Sequence, residues 1–171
     1  MNRVAAHTGS KYPIIQAPMG WIARSQLASA VCEAGGMGII ETSSGEIDNC
    51  KKEIQLMSDL TDKPFGVNLP LLFLKDDSMV NFCVESGVRF VTTSAGDPTK
   101  YVGTLKDAGI TVYHAVPSLD GAIKAADAGV DVDRQQPVHA RTNEQTDNRR
   151  DESDQERFHE STLAKDSSMR R

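Results

Sequence analysis

Short apolar runs alternate with longer amphipathic segments through most of the chain. The short runs are typical of buried strands, and the longer segments place their apolar residues on one helical face. Glycine follows several of these helical segments, where a left-handed residue ends a helix. The pattern predicts strands at Tyr12–Ala17, Gly38–Glu41, Pro64–Leu69, Arg89–Thr92 and Ile110–His114, with Val130-Asp131 as the start of a sixth.

The segments between these strands are predicted helices. The first, Ser25–Ala34, has Ser25 as its predicted N-cap and Gly35-Gly36 as its left-handed stop. Predicted strands and helices alternate in five strand–helix units. This alternation indicates parallel strands joined by right-handed crossovers. The other predicted helices are Ile47–Leu60, Ser78–Ser86, Pro98–Ala108 and Ser118–Ala128, the last with Ser118 as its cap.

Two α/β architectures satisfy this order, an open doubly wound sheet and a (β/α)8 barrel. No GxGxxG motif follows the first predicted strand, which argues against a dinucleotide-binding doubly wound fold. The glycine-rich stretch at 35–38 follows a helix instead, so it is interpreted as a helix stop and a close packing point. A complete barrel has eight units and typically about 250 residues. This chain supplies about five units and the edge of a sixth.

The last forty residues follow neither period. Residues 132–171 contain no glycine and no isoleucine, and they hold eight basic and nine acidic residues. Such a segment cannot bury enough apolar area to offset an ordering cost of roughly 1–2 kcal/mol per residue. The sequence therefore predicts a structured domain over 1–131 and a disordered polar tail over 132–171. Because periodicity is lost in mid-strand, we hypothesise a change of reading frame or exon at Val132.

Composition removes several classes of function. The net charge is −5 and the basic residues of the tail lie among acidic ones, so no nucleic-acid surface is predicted. Cys32, Cys50 and Cys83 have no metal-type spacing and indicate reduced thiols, so no metal site is predicted. The sequence has no run of about 18 apolar residues, so no membrane span is predicted. The N-terminus lacks the apolar core of a signal peptide, and the expected location is the cytoplasm.

A resemblance to a known family is carried by four segments in order: PIIQAPMGWIARSQLASAVCEAGGMGII, LTDKPFGVNLPLL, VTTSAGDPTKYVGTLKDAGITVYHAVPS and AIKAADAGVD. Together they resemble the nitronate monooxygenases, formerly called 2-nitropropane dioxygenases. They are also similar to the related FMN-dependent enoyl-ACP reductases of type II. The match runs from about Tyr12 to Asp131. It implies an FMN-binding TIM barrel, here incomplete.

The resemblance also implies a cofactor site where the strands end, which is the active face of such barrels. In family members the stretch that matches Pro18-Met19-Gly20 lies against the flavin, and the region of Asn68 contacts it. A glycine allows close backbone approach, and an amide can bond the polar edge of the ring. From the residues alone, the first of these stretches is more simply a turn with Met19 in the core, and Asn68 is as often a turn or cap residue. The residues expected to bind the cofactor are Pro18, Met19, Gly20, Asn68, Pro70 and Thr93.

No catalytic residue is predicted. The family's catalytic histidine lies in a glycine-rich loop about ten residues beyond the position of Asp131, where this chain reads VDRQQPVHARTNEQ. His139 has no glycine and no strand before it, so the role is not carried over. His114 ends a predicted strand on the expected active face and is a candidate for a direct role. Some relatives have a histidine at this place followed by a flavin-contacting lysine, where this chain has Ala115. The FMN phosphate would bind late glycine-rich loops, and the last glycine here is Gly129.

The resemblance implies oxidation of a small alkyl nitronate, with FMN and O2, to a carbonyl compound and nitrite. One alternative is an enoyl-thioester reductase that uses a reduced nicotinamide. A third interpretation is a non-catalytic remnant that binds flavin weakly or pairs with another chain. Since the histidine loop is missing, we expect this chain by itself to be catalytically impaired.

Overall fold

The computed structural model describes residues 2–131. Residues 132–171 lie outside this range, and with them the tail predicted to be disordered, the hypothesised change at Val132 and His139. The described strands are β1 (Ile39–Ile40), β2 (Gly66–Pro70), β3 (Phe90–Ser94) and β4 (Thr111–His114). The described helices are α1 (Arg3–Thr8), α2 (Ser25–Glu33), α3 (Ile47–Leu60), α4 (Ser78–Glu85), α5 (Thr99–Asp107) and α6 (Leu119–Asp127), with a 3-10 turn at Leu71–Phe73.

The four strands are parallel, and their order in the sheet is their order in the chain. Beside the segment that leads into β1, Ile15 forms a parallel bridge with Met37. At the opposite edge, the N–H of Asp131 donates to the carbonyl of Val112 in β4 over 2.8 Å. A doubly wound sheet reverses its strand order at a switch point, whereas a barrel adds strands in sequence. The observed order therefore decides for the barrel.

Three local predictions need correction. Within Tyr12–Ala17 only Ile15 forms a bridge, because Pro13 has no N–H and the N–H of Ile14 bonds to the nearby Tyr12 carbonyl. Ser25 is the first residue of α2 and not its cap; the cap is Arg24, and the Ser25 hydroxyl donates to Glu53 of α3.

The third correction is a helix that the pattern did not predict. α1 begins after Asn2, whose side-chain oxygen accepts a hydrogen bond from the N–H of Val4 at 2.9 Å. It ends at Gly9, which has a φ of 72°. By contrast, α3 has the predicted bounds, and Ser118 caps α6 by accepting from the N–H of Gly121 at 3.2 Å.

One face of the sheet packs against the helices. Its side chains and those of α2 to α6 form a continuous buried layer. Helix α2 approaches β1 so closely that a Cβ placed on Gly38 would lie 2.1 Å from the carbonyl oxygen of Ala28. Only glycine fits there, because this contact is with backbone that cannot rotate away. The strand residues in the layer are Ile40, Val67, Leu69, Val91 and Val112.

The other face carries a smaller apolar cluster. Met37, Ile39 and Phe90 are fully buried there, and the rings of Phe90 and Tyr113 lie 5.0 Å apart in an edge-to-face arrangement. The Tyr113 hydroxyl pairs with Nδ1 of His7 in α1 at 2.9 Å. Helix α1 thus contacts the amino-terminal end of the sheet, and the carboxyl-terminal end is left to the loops that follow the strands.

Candidate functional site

The carboxyl ends of the parallel strands meet at one edge of the sheet, referred to below as the carboxyl edge. The predicted cofactor residues all lie there. The Pro18–Gly20 segment belongs to the loop before α2, and Asn68 and Pro70 lie in the last three positions of β2. Thr93 is the penultimate residue of β3, and His114 is the last residue of β4.

Asn68 ties β2 to its neighbours. It is only 4% exposed, and its backbone carbonyl accepts from the Thr42 hydroxyl at 2.7 Å. Its amide Nδ2 donates to the carbonyl and to the hydroxyl of Thr92 in β3, at 3.1 and 3.0 Å. Because side chains alternate along a strand, Asn68 and Thr92 share the face of Phe90, and Ser94 follows them on it.

Thr93 and His114 lie on the opposite, helix-packed face, as the alternation from Val91 and Val112 requires. The two are register partners, and the Thr93 hydroxyl bonds Nδ1 of His114 at 2.8 Å. Thr93 is completely buried. The structure therefore brings Asn68 together with Thr92 and Ser94, and Thr93 together with His114, but it separates the two groups by the thickness of the sheet.

His114 opens onto a cleft of about 630 Å³ between the loop after β3, the loop after β4 and helix α6. Asp97 and Lys124 contribute charged side chains to its lining. Burial lowers the pKa of His114, and the opposing effects of Gly96, Asp97 and Thr93 do not offset it. Its imidazole is accordingly biased towards the neutral form.

The loop that contains Pro18, Met19 and Gly20 folds back on itself. The Met19 carbonyl accepts from the N–H groups of Ile22 and Ala23, at 3.1 and 2.8 Å. Pro18 and Met19 are exposed, whereas Gly20 is half-buried and a Cβ there would meet the Ser43 hydroxyl at 3.4 Å.

Trp21 follows with a φ of 59°, in the left-handed region. This conformation costs a bulky L-residue about 1–2 kcal/mol, so neighbouring contacts must hold it in place. The Trp21 side chain is 67% exposed and contributes little packing of its own.

Glu41 supplies the contact that holds Trp21, and the sequence analysis did not single it out. Its carboxylate is fully buried and accepts from the N–H groups of Trp21, Ser43 and Ser44, at 3.1, 2.7 and 3.1 Å. It also accepts from the Ser43 hydroxyl and pairs with Arg24 at 3.0 Å. Burial alone would raise the pKa of Glu41, but the hydrogen bonds from Ser43 and Trp21 and the charge of Arg24 hold it below the usual value.

A signal for Glu41 was present in the sequence. It is an acidic residue at the end of an apolar run, and buried carboxylates are rare unless they are paired. The same residue shortens the strand: its N–H donates to the Ala23 carbonyl at 3.0 Å and so leaves the ladder, which is why β1 ends at Ile40.

A second residue in the left-handed region, Ala95, lies in the loop after β3 with a φ of 50°. Its carbonyl accepts from the N–H of Leu72 at 2.8 Å and joins this loop to the one after β2. Among residues 2–131, Trp21 and Ala95 are the only non-glycine residues with positive φ, and both lie at the carboxyl edge. Backbone strain of this kind concentrates at functional sites.

No group of three or more His, Cys, Asp or Glu side chains within residues 2–131 is arranged to hold a metal ion. No helix in the same range is both long and apolar enough to cross a membrane.

The chain is similar to several known proteins. The family model described as nitronate monooxygenase matches residues 2–80. The (3aS,4S,5R,7aS)-5-hydroxy-7a-methyl-1-oxo-octahydro-1H-indene-4-carboxyl-CoA dehydrogenase of Mycobacterium tuberculosis is 32% identical over 72% of this chain and 35% of its own length. A nitronate monooxygenase of Paraburkholderia phytofirmans is 28% identical over 77% of this chain and 47% of its own length. The structure of FabK from Thermotoga maritima superposes with a TM-score of 0.73 and 40% identity, over 77% of this chain and 42% of FabK.

The parallel strands in sequential order and the polar carboxyl edge are those of part of an α/β barrel. Over residues 2–80 the chain matches the model of the nitronate monooxygenase family, and FabK is a structural neighbour. The chain spans less than half the length of each relative named above.

Proposed function

We propose that this chain forms the flavin-ring side of the active site of an FMN-dependent oxidoreductase that oxidises alkyl nitronates with O2 to a carbonyl compound and nitrite. The observation that carries the proposal is the carboxyl edge itself. Buried polar side chains and both strained non-glycine residues of the described range lie there, in a chain whose N-terminal part matches the nitronate monooxygenase model.

The residues present fit the ring end of a flavin. The N–H groups of the Asn68 amide are engaged with Thr92, so its Oδ1 is the atom that we expect to accept from a ring N–H. The apolar cluster around Phe90 lies on the same face and suits an aromatic heterocycle. We expect the phosphate end to bind glycine-rich loops beyond residue 131, as the resemblance implies.

Bound FMN would supply the electron-transfer chemistry that this reaction requires. Met19 and Gly20 present backbone to the ring, and Gly20 keeps the approach free of a side chain. Pro70 fixes the turn out of β2. Thr93 acts through His114, since both face the helices and not the Asn68 side. No proton transfer is assigned to a residue of this chain, because none matches the family's histidine loop.

The second candidate is a flavin enzyme that acts on thioesters. It is suggested by the 40% identity to FabK and by the 32% identity to a carboxyl-CoA dehydrogenase. The same ring pocket would serve, but a reduced nicotinamide would supply the electrons.

One experiment separates these candidates. The purified chain is mixed with FMN, passed through gel filtration, and examined for flavin absorbance in the protein peak. Nitrite release from a propyl nitronate is then compared with nicotinamide-dependent reduction of an enoyl thioester. Nitrite supports the first candidate and thioester reduction supports the second. Bound FMN with neither activity means that the chain only binds flavin, and a colourless protein peak contradicts the proposal.

A further inference from the structure

Two loops of the carboxyl edge are joined through one buried carboxylate. The loop before α2 contains Pro18 to Trp21, and the loop after β1 contains Ser43 and Ser44. Glu41 divides its two oxygens between them: Oε1 accepts from the Trp21 N–H at 3.1 Å, and Oε2 accepts from both serine N–H groups. One side chain therefore fixes the distance between the two loops.

The bond to Trp21 is placed where the backbone needs it most. A left-handed φ of 59° is unfavourable for tryptophan, and the exposed side chain offers no compensating burial. A charge-assisted hydrogen bond to the N–H of the strained residue can offset a cost of this size. The left-handed turn at Trp21 comes directly after Gly20, so it sets the direction in which the Met19–Gly20 backbone faces.

Arg24 locks the carboxylate in this position. Its guanidinium lies 3.0 Å from Glu41 Oε1 and 3.0 Å from Glu46 Oε2, and it also donates to the Ser44 hydroxyl at 3.1 Å. The two acidic partners differ in their surroundings. Glu41 has no exposed side-chain surface, whereas half of the Glu46 side chain is exposed and it has no bond to the 18–21 loop in the described structure.

We propose that Glu41 is a positioning residue for the flavin site: its carboxylate holds the left-handed turn at Trp21 and so presents the Met19–Gly20 backbone to the cofactor. This inference rests on the proposed flavin function. A carboxylate that served stability alone would not need to bond the one strained residue of the loop. The N–H groups that donate to Glu41 come from the backbones of these two loops.

The protein carries its own probe, because Trp21 is its sole tryptophan. We would compare Glu41→Gln with Glu46→Gln, a matched change at the other acidic partner of Arg24. Glutamine keeps the shape but loses the charge, and it offers one oxygen acceptor where the carboxylate has two, so it cannot accept from the Trp21 N–H and from the serine N–H groups at once. Tryptophan emission and anisotropy are measured without flavin, circular dichroism checks the fold, and FMN affinity is measured by titration.

We expect lower Trp21 anisotropy and at least a tenfold weaker Kd for FMN in Glu41→Gln, with Glu46→Gln unchanged. Unaltered Trp21 emission and anisotropy in Glu41→Gln would overturn the inference whether or not FMN binds. Altered emission with an unchanged FMN Kd would overturn the positioning role. If wild-type protein binds no FMN, the proposed function fails, while the emission comparison still decides whether Glu41 holds the loop.

A second pair of variants guards against misfolding of Glu41→Gln. Ser43→Ala removes only one donor to the carboxylate, and we expect the same changes to a smaller extent. Glycine adopts a left-handed φ without strain, so in a Trp21→Gly background the loss of FMN affinity caused by Glu41→Gln should shrink. An equal loss in both backgrounds would show that Glu41 does not act through this turn.

Discussion

The helix-packed layer and the carboxyl edge belong to the same sheet but are held together in different ways. In the layer, apolar side chains and glycine contacts fill the space between strands and helices, and each residue has many equivalent neighbours. At the edge, a few polar groups such as Glu41 and Asn68 make specific bonds that no neighbour can replace. Packing errors in the layer should therefore cost global stability, and changes at the edge should mainly alter local geometry and binding.

The largest effect is expected in the layer at Gly38. A methyl group there would lie 2.1 Å from the Ala28 carbonyl oxygen, so Gly38→Ala must push α2 away from β1. We expect the free energy of unfolding to fall by about 3 kcal/mol, the upper range for overpacked sites. Urea denaturation followed by circular dichroism measures it.

Gly103 in α5 provides the control for this prediction. A Cβ on Gly103 meets nothing within 4 Å, and alanine is the better helix former, so Gly103→Ala should be neutral or stabilise by up to about 1 kcal/mol. Similar losses at both glycines would mean that the close approach of α2 does not limit this position.

An intermediate effect is expected at the edge for Asn68→Ala. The change removes both bonds to Thr92 and leaves a buried carbonyl with one partner fewer, which costs about 1–3 kcal/mol. It should also weaken FMN binding, since the acceptor proposed for the ring is lost. The exposed Asn81 of α4 offers the matched change, and Asn81→Ala should alter neither quantity. A stable Asn68→Ala that binds FMN normally would remove Asn68 from the proposed site.

The smallest effect is a pH dependence at His114. Because its folded-state pKa is lowered, the unfolded chain binds the proton more readily than the folded one. The contribution of His114 to stability is therefore complete above an unfolded pKa of about 6.5 and is lost as pH falls through the lower folded value. Unfolding measured between about pH 5 and 8 should show this slope in wild-type protein and a weaker slope in His114→Gln. An NMR titration midpoint for His114 above the ordinary value would contradict it.

The same contrast explains what could be predicted from the sequence. The strand–helix order and the bounds of α3 follow from periodicity, because the helix-packed layer is built from repeated apolar positions. Two architectures remained open, since alternating elements do not reveal which strands are neighbours. The parallel pairing of consecutive strands settles that question in the structure.

The carboxyl edge was less predictable. Asn68, Thr93 and His114 were placed at strand ends correctly, but their division between two faces depends on the register of neighbouring strands, which the pattern does not contain. Glu41 was missed because its function depends on partners from another loop, and the strain at Trp21 is invisible in a residue type that rarely adopts positive φ. Whether these residues bind a flavin stays a prediction.

The in-order arrangement of strands also has a consequence for how the protein folds. Within residues 2–131 each strand pairs only with strands next to it along the chain, so the strand-pairing contacts close loops of one helical unit. Such short loops lower the entropy that must be lost before a pair forms, and they favour rapid folding for a parallel sheet. During synthesis each new unit meets an edge already in place, and the sheet can grow from its N-terminus as the ribosome delivers it.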